Sequence, residues 1–304
     1  MTERVPLVSI GLPVYNGEGF LSQTVDSILN QTFTDFELII SDNASVDGST
    51  AIAESYARRD DRIRVVRSEY NRGAAWNYKH LLDLARGRYF RWAPADDLFA
   101  SESLTCCVQV LDQHPEAVLC YPKTTLINAQ GQVLQLYEDN LDLRQASPVE
   151  RYKAAVKQIG LTNVIYGLMR TGVLRQTRLI GSFPGADVLF VTELSLFGQF
   201  HEIDQRLFFR RMHPGASSSI QSLDGIQAFM DPKIVRKKAF ARMWRHLFES
   251  MRSLLHAPLA VRERVRLFGF LMREMIASRD QYVQEVVLLM NPRGRGAASV
   301  VDHK

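Results

Sequence analysis

The sequence predicts an α/β protein in which a mostly parallel sheet is flanked by helices and followed by a C-terminal helical extension. Three observations lead there. Through the first hundred residues, short apolar runs of strand length alternate with segments of helical spacing. The connections between them are short and rich in turn formers. Beyond Asp231-Pro232 the strand pattern stops and apolar residues recur only at helical spacing.

Taken in order, the apolar run 7–12 stops at Pro13 and reads as a buried strand, after which Phe20, Leu21, Val25, Ile28 and Leu29 recur at helical spacing. A strand over 36–40 ends abruptly in Ser41-Asp42-Asn43; a helix over 49–58 and a strand over 63–67 follow. Residues 74–85 are helical, Gly87 breaks them off, and a strand over 89–93 ends at Pro94. A helix over 103–113 and a strand over 117–121 precede the stretch 124–137, where Asn128-Ala129-Gln130-Gly131 marks a hairpin turn. Helices over 148–159 and 187–198 and a strand over 202–210 complete this part, with the breaker-rich loop 182–186 leading into Asp187. Phe240, Met243, Trp244, Leu247, Phe248, Met251, Leu254 and Leu255 then trace one helical face. A second amphipathic helix follows Pro258 and a third runs to Met290. The chain thus divides into a main domain over 1–230 with halves at 1–100 and 101–230, a basic amphipathic extension over 231–290, and a disordered tail over 291–304.

With 304 residues, 46% hydrophobic and 23% charged, the chain is large enough for a well-buried core. That composition excludes disordered, collagen-like and disulfide-stapled classes. Cys106, Cys107 and Cys120 have no metal-site spacing and read as buried free thiols, as in a reducing compartment. The start lacks a basic, then apolar leader, and no run approaches the roughly 18 apolar residues of a membrane span. A cytoplasmic protein is expected. Between Lys233 and Arg279 twelve Lys/Arg stand against three Glu, about +9 in a chain of net +4. Such a face suits an acidic partner.

Two adjacent carboxylates after an apolar strand, Asp96-Asp97, repel each other, and burial raises the cost. A hard divalent cation relieves it and brings substrate phosphates as further ligands. Taken alone, the pair is equally at home as a solvated turn or a helix N-cap. Asp42 is similar: it offers an acceptor carboxylate, yet it sits in a segment, Ser41 to Ser49, made of turn and capping residues.

In order along the chain, these segments resemble the family 2 glycosyltransferases of the GT-A fold. The matching pieces are Val8-Ser9-Ile10-Gly11-Leu12-Pro13-Val14-Tyr15-Asn16, then Asp42-Asn43-Ala44-Ser45-Val46-Asp47-Gly48-Ser49. Asn71-Arg72-Gly73 with Asn77 comes next, then Ala85-Arg86-Gly87-Arg88-Tyr89 running into Ala95-Asp96-Asp97. The likeness spans roughly 6–220 and is densest in the first hundred residues. It implies an inverting transfer from a nucleotide-diphosphate sugar to a hydroxyl acceptor in cell-surface polysaccharide or glycolipid synthesis. The first half would hold the donor, favouring a uridine diphosphate sugar, and the second the carbohydrate or lipid-linked acceptor.

Carried over by position, the resemblance implies that Pro13, Tyr15, Asn16 and Asn71 line the nucleotide pocket and Asp42 accepts from the base. Asp96 contacts ribose or sugar, and Asp97 ligates Mn²⁺ or Mg²⁺. Pro94-Ala95 stands where many relatives carry an outer aspartate, leaving Asp97 as the one carboxylate ligand of this loop. Asp187, after Gly185-Ala186, matches the general base, although Ala186 replaces a common Glu; Glu193 is the fallback. Arg211-Met212-His213 resembles a closing Arg-x-His segment, with Arg211 on the phosphates and His213 on the metal.

Three other classes compete. A dehydrogenase is suggested by Gly17-Glu18-Gly19, but the third glycine of that fingerprint is missing. A catalytically inactive sugar-nucleotide or polysaccharide-binding protein on the same fold is opposed by the retention of Asp97, Asp187 and His213. Nucleic-acid binding by the basic end lacks interleaved aromatics. That end, 233–279, is instead expected to pack on the main domain or a second copy in a homodimer, or to lie peripherally on the inner face of the cell membrane.

Overall fold

The computed structural model describes residues 5–233 and 242–290. The expected tail 291–304 and part of the basic segment, including Arg236, Lys237, Lys238 and Phe240, lie outside the described residues. The elements in chain order are β1 (Val8–Val14), α1 (Leu21–Leu29), β2 (Phe36–Asp42), α2 (Ser49–Ala57), β3 (Ile63–Arg67), α3 (Ala74–Leu84), β4 (Tyr89–Trp92), β5 (Leu98–Phe99) and α4 (Ser103–Gln113). Next come β6 (Ala117–Asn128), β7 (Val133–Tyr137), α5 (Pro148–Gln158), a 3-10 turn (Asn163–Tyr166), β8 (Leu168–Arg170), α6 (Thr171–Leu174), α7 (Ala186–Leu194) and β9 (Gln199–Met212). A second 3-10 turn (Ser217–Ser219) leads to α8 (Leu223–Met230), and α9 (Arg242–His256), α10 (Val261–Ala277) and α11 (Arg279–Met290) form the C-terminal helices.

One sheet runs β3-β2-β1-β4-β8-β6-β9-β5, with β7 paired to β6. The expected parallel order holds among β1 to β4, and β6 also runs parallel to β9. The short strands β5, β7 and β8 pair antiparallel, so the second half of the sheet is mixed. All seven residues of β2 are buried, which explains its unbroken apolar run: helices cover both faces. On one face Leu38 and Ile40 meet Leu21, Val25 and Leu104 from α1 and α4; on the other Ile39 joins Leu81, Phe190 and Leu194 from α3 and α7. Strand alternation distributes these neighbours between the two layers.

A buried carboxylate organises the base of the first half. Glu37 accepts from the Ser9 hydroxyl at 2.6 Å, the Arg86 amide at 3.0 Å and the Arg86 Nε at 3.1 Å. It therefore ties β1, β2 and the turn before β4 together, which accounts for the Arg86-Gly87 segment in structural terms.

The C-terminal helices are not an independent appendage. Leu247 and Leu254 of α9 and Leu267, Phe270 and Leu271 of α10 share one apolar cluster with Val149 and Tyr152 of α5 and Leu196. Polar groups seal the seam: Glu193 of α7 accepts from the Ser253 hydroxyl at 2.6 Å and the Arg178 amide at 2.8 Å, while Arg178 pairs with Glu249. Of the two packing options expected for this end, the apolar face of α9 takes the main domain. Cys107 and Cys120 are buried as expected, Cys106 is half-buried, and all three thiols are free. Among the described residues no helix is long and apolar enough to cross a membrane.

Leu254 is fully buried in that seam, so Leu254→Ala is expected to cost about 2–5 kcal/mol in urea unfolding. A change within a few tenths would show that the α9 contact contributes little to stability.

Candidate active site

The carboxyl ends of β1, β2 and β4 and the end of β9 surround a cleft of about 440 Å³. It adjoins a second cavity of about 310 Å³, and Ala74, Tyr78, Tyr166, Arg210 and Phe229 line both. The two are halves of one space.

Local chemistry builds the first half. Asn16 adopts the left-handed backbone (φ 54°), a conformation asparagine tolerates. Its amide donates to Ser45 Oγ at 2.9 Å and its side-chain oxygen accepts from the Val46 amide at 3.0 Å. The loops after β1 and β2 are thereby knitted into one wall. Pro13, Tyr15, Asn16, Asn71 and Asp96 all line this cavity, as the sequence led us to expect.

Asp42 does not. It is 1% exposed and already committed: its carboxylate accepts from the Ser45 amide at 2.9 Å and the Thr50 hydroxyl at 2.5 Å, and lies 3.4 Å from the Arg67 Nε. It braces the loop instead of facing a ligand. The next residue, Asn43, lines the cleft, with Nδ2 donating to Asn71 Oδ1 at 2.9 Å and Oδ1 accepting from the Arg72 amide at 3.0 Å. Asn77 lies below it, bonded to Ser41 O at 3.0 Å, while its own Oδ1 is a buried acceptor with no protein partner.

Asp96-Asp97 follow β4 at the floor. Asp97 Oδ1 accepts from the Arg211 amide at 2.7 Å, and its backbone carbonyl accepts from the Thr24 hydroxyl at 2.8 Å. Burial, together with the neighbouring Asp96 charge, pushes the Asp97 carboxyl well above the ordinary aspartate range. Asp96 Oδ2 lies 3.0 Å from His213 Nε2, and the His213 ring packs on Phe20. Among the described residues these three side chains do not close into a three-donor cage. One buried carboxylate, its neighbour and an imidazole at the edge of an open cleft nevertheless fit a hard divalent cation, which typically takes one or two carboxylates and completes its shell with water and phosphate.

Arg211 is placed differently from expectation. Its side chain is 2% exposed, and its guanidinium donates to Asp96 O (2.8 Å), Ala129 O (2.9 Å) and Gln23 Oε1 (2.9 Å) while stacking on Phe20. It lines the cleft, but most of its guanidinium N–H groups are taken up in holding the floor. The preceding residue, Arg210, borders both cavities. Its Nη1 is fixed by Leu161 O (2.7 Å) and Asn163 Oδ1 (2.6 Å).

In the second half Asp187 sits in the first turn of α7, where the helix dipole favours negative charge. Thr162, itself in a strained left-handed conformation (φ 58°), donates to Asp187 Oδ2 at 2.8 Å. Gly185 begins this helix at φ 79°, and a side chain there would meet the His246 ring of α9 at 2.4 Å. His246 Nε2 also bonds the Pro184 carbonyl at 2.8 Å. The walls of this half are largely apolar: Ile165, Ile180, Val188, Ile226 and Met230. Glu193, the fallback base, is 2% exposed, has both oxygens engaged in the α7–α9 seam, and lines neither cavity. Tyr78 joins the two halves. Burial, with the charges of Asp96, Asp97 and Asp187 around it, pushes its phenol up to about 12, so it stays a neutral donor.

Asn43, Tyr78, Thr162, Tyr166 and Arg210 are the cleft residues that sequence reasoning missed. Asn77 was noted only as part of a motif. The alternation of Arg210 and Arg211 along β9 carried a signal, but choosing between them needs the register of the strand.

Residues 9–155 match the sequence model described as glycosyl transferase family 2. TuaG of Bacillus subtilis (strain 168), assigned by name to teichuronic acid biosynthesis as a glycosyltransferase, is 39% identical over 104 residues, 34% of this chain and 41% of TuaG. The chain therefore spans well under half of that relative. Among solved structures, S. aureus TarS in complex with UDP-GlcNAc superposes with TM-score 0.67 at 16% identity, covering 89% of this chain and 72% of that one. The mannosyltransferase PcManGT from Pyrobaculum calidifontis, in complex with GDP-Man and Mn²⁺, gives TM-score 0.52 at 13% identity over 95% and 86% of the two chains. At those identities the structural likeness establishes the fold, a mixed α/β sheet of the GT-A type.

Asp139, buried beside the Thr124 hydroxyl (2.9 Å) on the strand that pairs with β9, has its carboxyl pushed up by burial from 3.8 to about 6. A raised carboxyl stabilises the fold below pH 3.8 and loses that contribution as pH rises through about 6. Asp139→Asn should therefore gain on the parent by about 2 kcal/mol between pH 4 and 7.5 in urea unfolding. Parallel pH profiles would show that Asp139 titrates normally.

Proposed function

This chain belongs to glycosyl transferase family 2, and we propose that it transfers a sugar from a nucleoside-diphosphate donor to a hydroxyl acceptor with inversion at the anomeric carbon. The carrying observation is the shared space: Asp96, Asp97 and His213 border one half, Asp187 the other, and Tyr78 and Arg210 stand between them. Such a layout presents a donor and an acceptor to each other across one opening. Its largely apolar walls suit the Asp187 half to a lipid-linked or otherwise partly apolar acceptor.

In this reading the base and ribose lie against Pro13, Tyr15, Asn43 and Asn71, and the sugar reaches Asp96. A Mn²⁺ or Mg²⁺ held by Asp97 and His213 would supply positive charge for the departing diphosphate. Arg210 adds fixed positive charge from the chain itself. Asp187, oriented by Thr162, takes the acceptor hydroxyl proton. The acceptor oxygen bonds to the anomeric carbon from the face opposite the diphosphate, whose oxygen leaves with the electron pair. A uridine donor is favoured by the TarS complex with UDP-GlcNAc, and a role in cell-surface polysaccharide synthesis by the TuaG name.

The outer side of α10 supports the membrane alternative for the basic end. Val261, Val265 and Ile276 are exposed there among exposed Arg262, Arg266 and Arg273. Such a surface is suited to peripheral contact with an anionic leaflet.

A donor screen reading released nucleoside diphosphate, with and without Mn²⁺, tests the activity. Asp97→Asn should abolish metal-dependent donor binding. Asp187→Asn should keep donor binding and lose about 10²–10⁴-fold in turnover; near-normal turnover would remove it as the base.

The two arginines should separate cleanly. Arg211→Ala leaves several buried carbonyls unpaired and should destabilise the protein by about 2–4 kcal/mol. Arg210→Gln should stay within about 1–2 kcal/mol of the parent yet weaken nucleoside-diphosphate affinity about 10-fold. The reverse pattern would exchange their roles.

A further inference from the structure

Far from the cleft, three side chains with metal-binding donors meet at the other end of the sheet. His114 closes α4, Glu116 precedes β6, and His201 lies near the start of β9; one donor atom from each falls within 4.8 Å of the other two. Arg210 is nine residues further along β9, roughly 25–30 Å away at strand rise. The cluster therefore shares nothing with the donor site.

Bonds to the backbone set these positions without help from the three donor side chains. The Glu116 carbonyl accepts from the Gln199 amide at 3.0 Å, the His114 carbonyl from Arg170 Nη2 at 3.0 Å, and His201 is in ladder register with Cys120. His114 Nδ1 stands 3.2 Å from Glu116 Oε1, and the two imidazole centroids are 4.6 Å apart. His201 is only 3% exposed, whereas His114 and Glu116 open to solvent. Gln199 Oε1 lies 3.0 Å from His201 Nε2, where it takes the ring proton and leaves the lone pair on Nδ1. A partner on the second ring nitrogen is what fixes the tautomer of a ligating histidine.

We propose that His114, Glu116 and His201 form a second metal site, for a zinc-type transition-metal ion with solvent as fourth ligand, which clips the end of α4 to β9. Two imidazoles and one carboxylate suit zinc, nickel or cobalt, whereas magnesium and calcium favour oxygen donors throughout. A local His114–Glu116 surface pair would explain the exposed partners but not the buried ring of His201 joining them.

The test uses the full chain, stripped with EDTA, desalted and titrated with Zn²⁺ and, separately, Mg²⁺. One equivalent of Zn²⁺ is expected to bind with a Kd of about 10 µM or tighter and to raise the thermal midpoint by several degrees, with no such response to Mg²⁺. Asp97→Asn should bind this equivalent unchanged. His114→Asn and Glu116→Gln, both at open positions that tolerate substitution, should each weaken it at least about 10-fold. Co²⁺ in the parent should give the strong visible bands of a four-coordinate site, and His114→Asn should lose them. Absence of Zn²⁺ binding in the parent, unchanged binding in both cluster variants, or loss of binding in Asp97→Asn would overturn the proposal.

Discussion

Arg211 sits with its guanidinium enclosed at the floor of the cleft, donating to the carbonyls of Asp96 and Ala129 and to the side chain of Gln23. Its own amide meanwhile holds Asp97 Oδ1. One residue of β9 thus ties α1, the loop after β4 and the turn between β6 and β7 to a single point. A buried cation of this kind is tolerated because each of its three guanidinium nitrogens finds an acceptor. The carboxylate pair above it, which would otherwise repel itself apart, is fixed in place by that arrangement. The rest of the first half of the cleft is built on this floor.

The Asp187 half of the cleft is constrained differently. Asp187 owes its position to a helix start that demands glycine at 185, to a strained Thr162, and to His246 reaching in from α9. Local strain and a contact with a distant helix together hold one carboxylate. Tyr78 is among the residues common to both halves, set in the field of all three acids.

The fold was largely legible in the residue pattern because β1 to β4 and α1 to α4 alternate with clear periods and short turns. What escaped was mostly short or strained: β5 with two residues, β8 with three, and the 3-10 turn over Asn163–Tyr166, with the eight-residue α8 the exception. Elements so brief carry too few residues for a period to show. The cleft residues divide similarly. Pro13, Tyr15, Asn16, Asn71 and Asp96 were readable because they follow strand ends in recognisable motifs. Asp42 braces its loop while Asn43 lines the cleft, and Arg211 lines the cleft beside Arg210 but spends its guanidinium on the floor. A strand turns alternate side chains to opposite faces, so a motif can be right in place and wrong in direction. Glu193 was excluded only by seeing Ser253 and Arg178, which no local spacing connects to it.

The meeting of Gly185 with His246 has a consequence for how this protein can be recombined. A boundary drawn at residue 231 looks natural from composition, yet it would separate the ring of His246 from the turn it supports at Pro184 and Gly185. The unit of exchange between relatives is therefore not the C-terminal helices alone. It is those helices together with the loop over 178–187, and swaps that respect this pairing keep the support of Asp187 together.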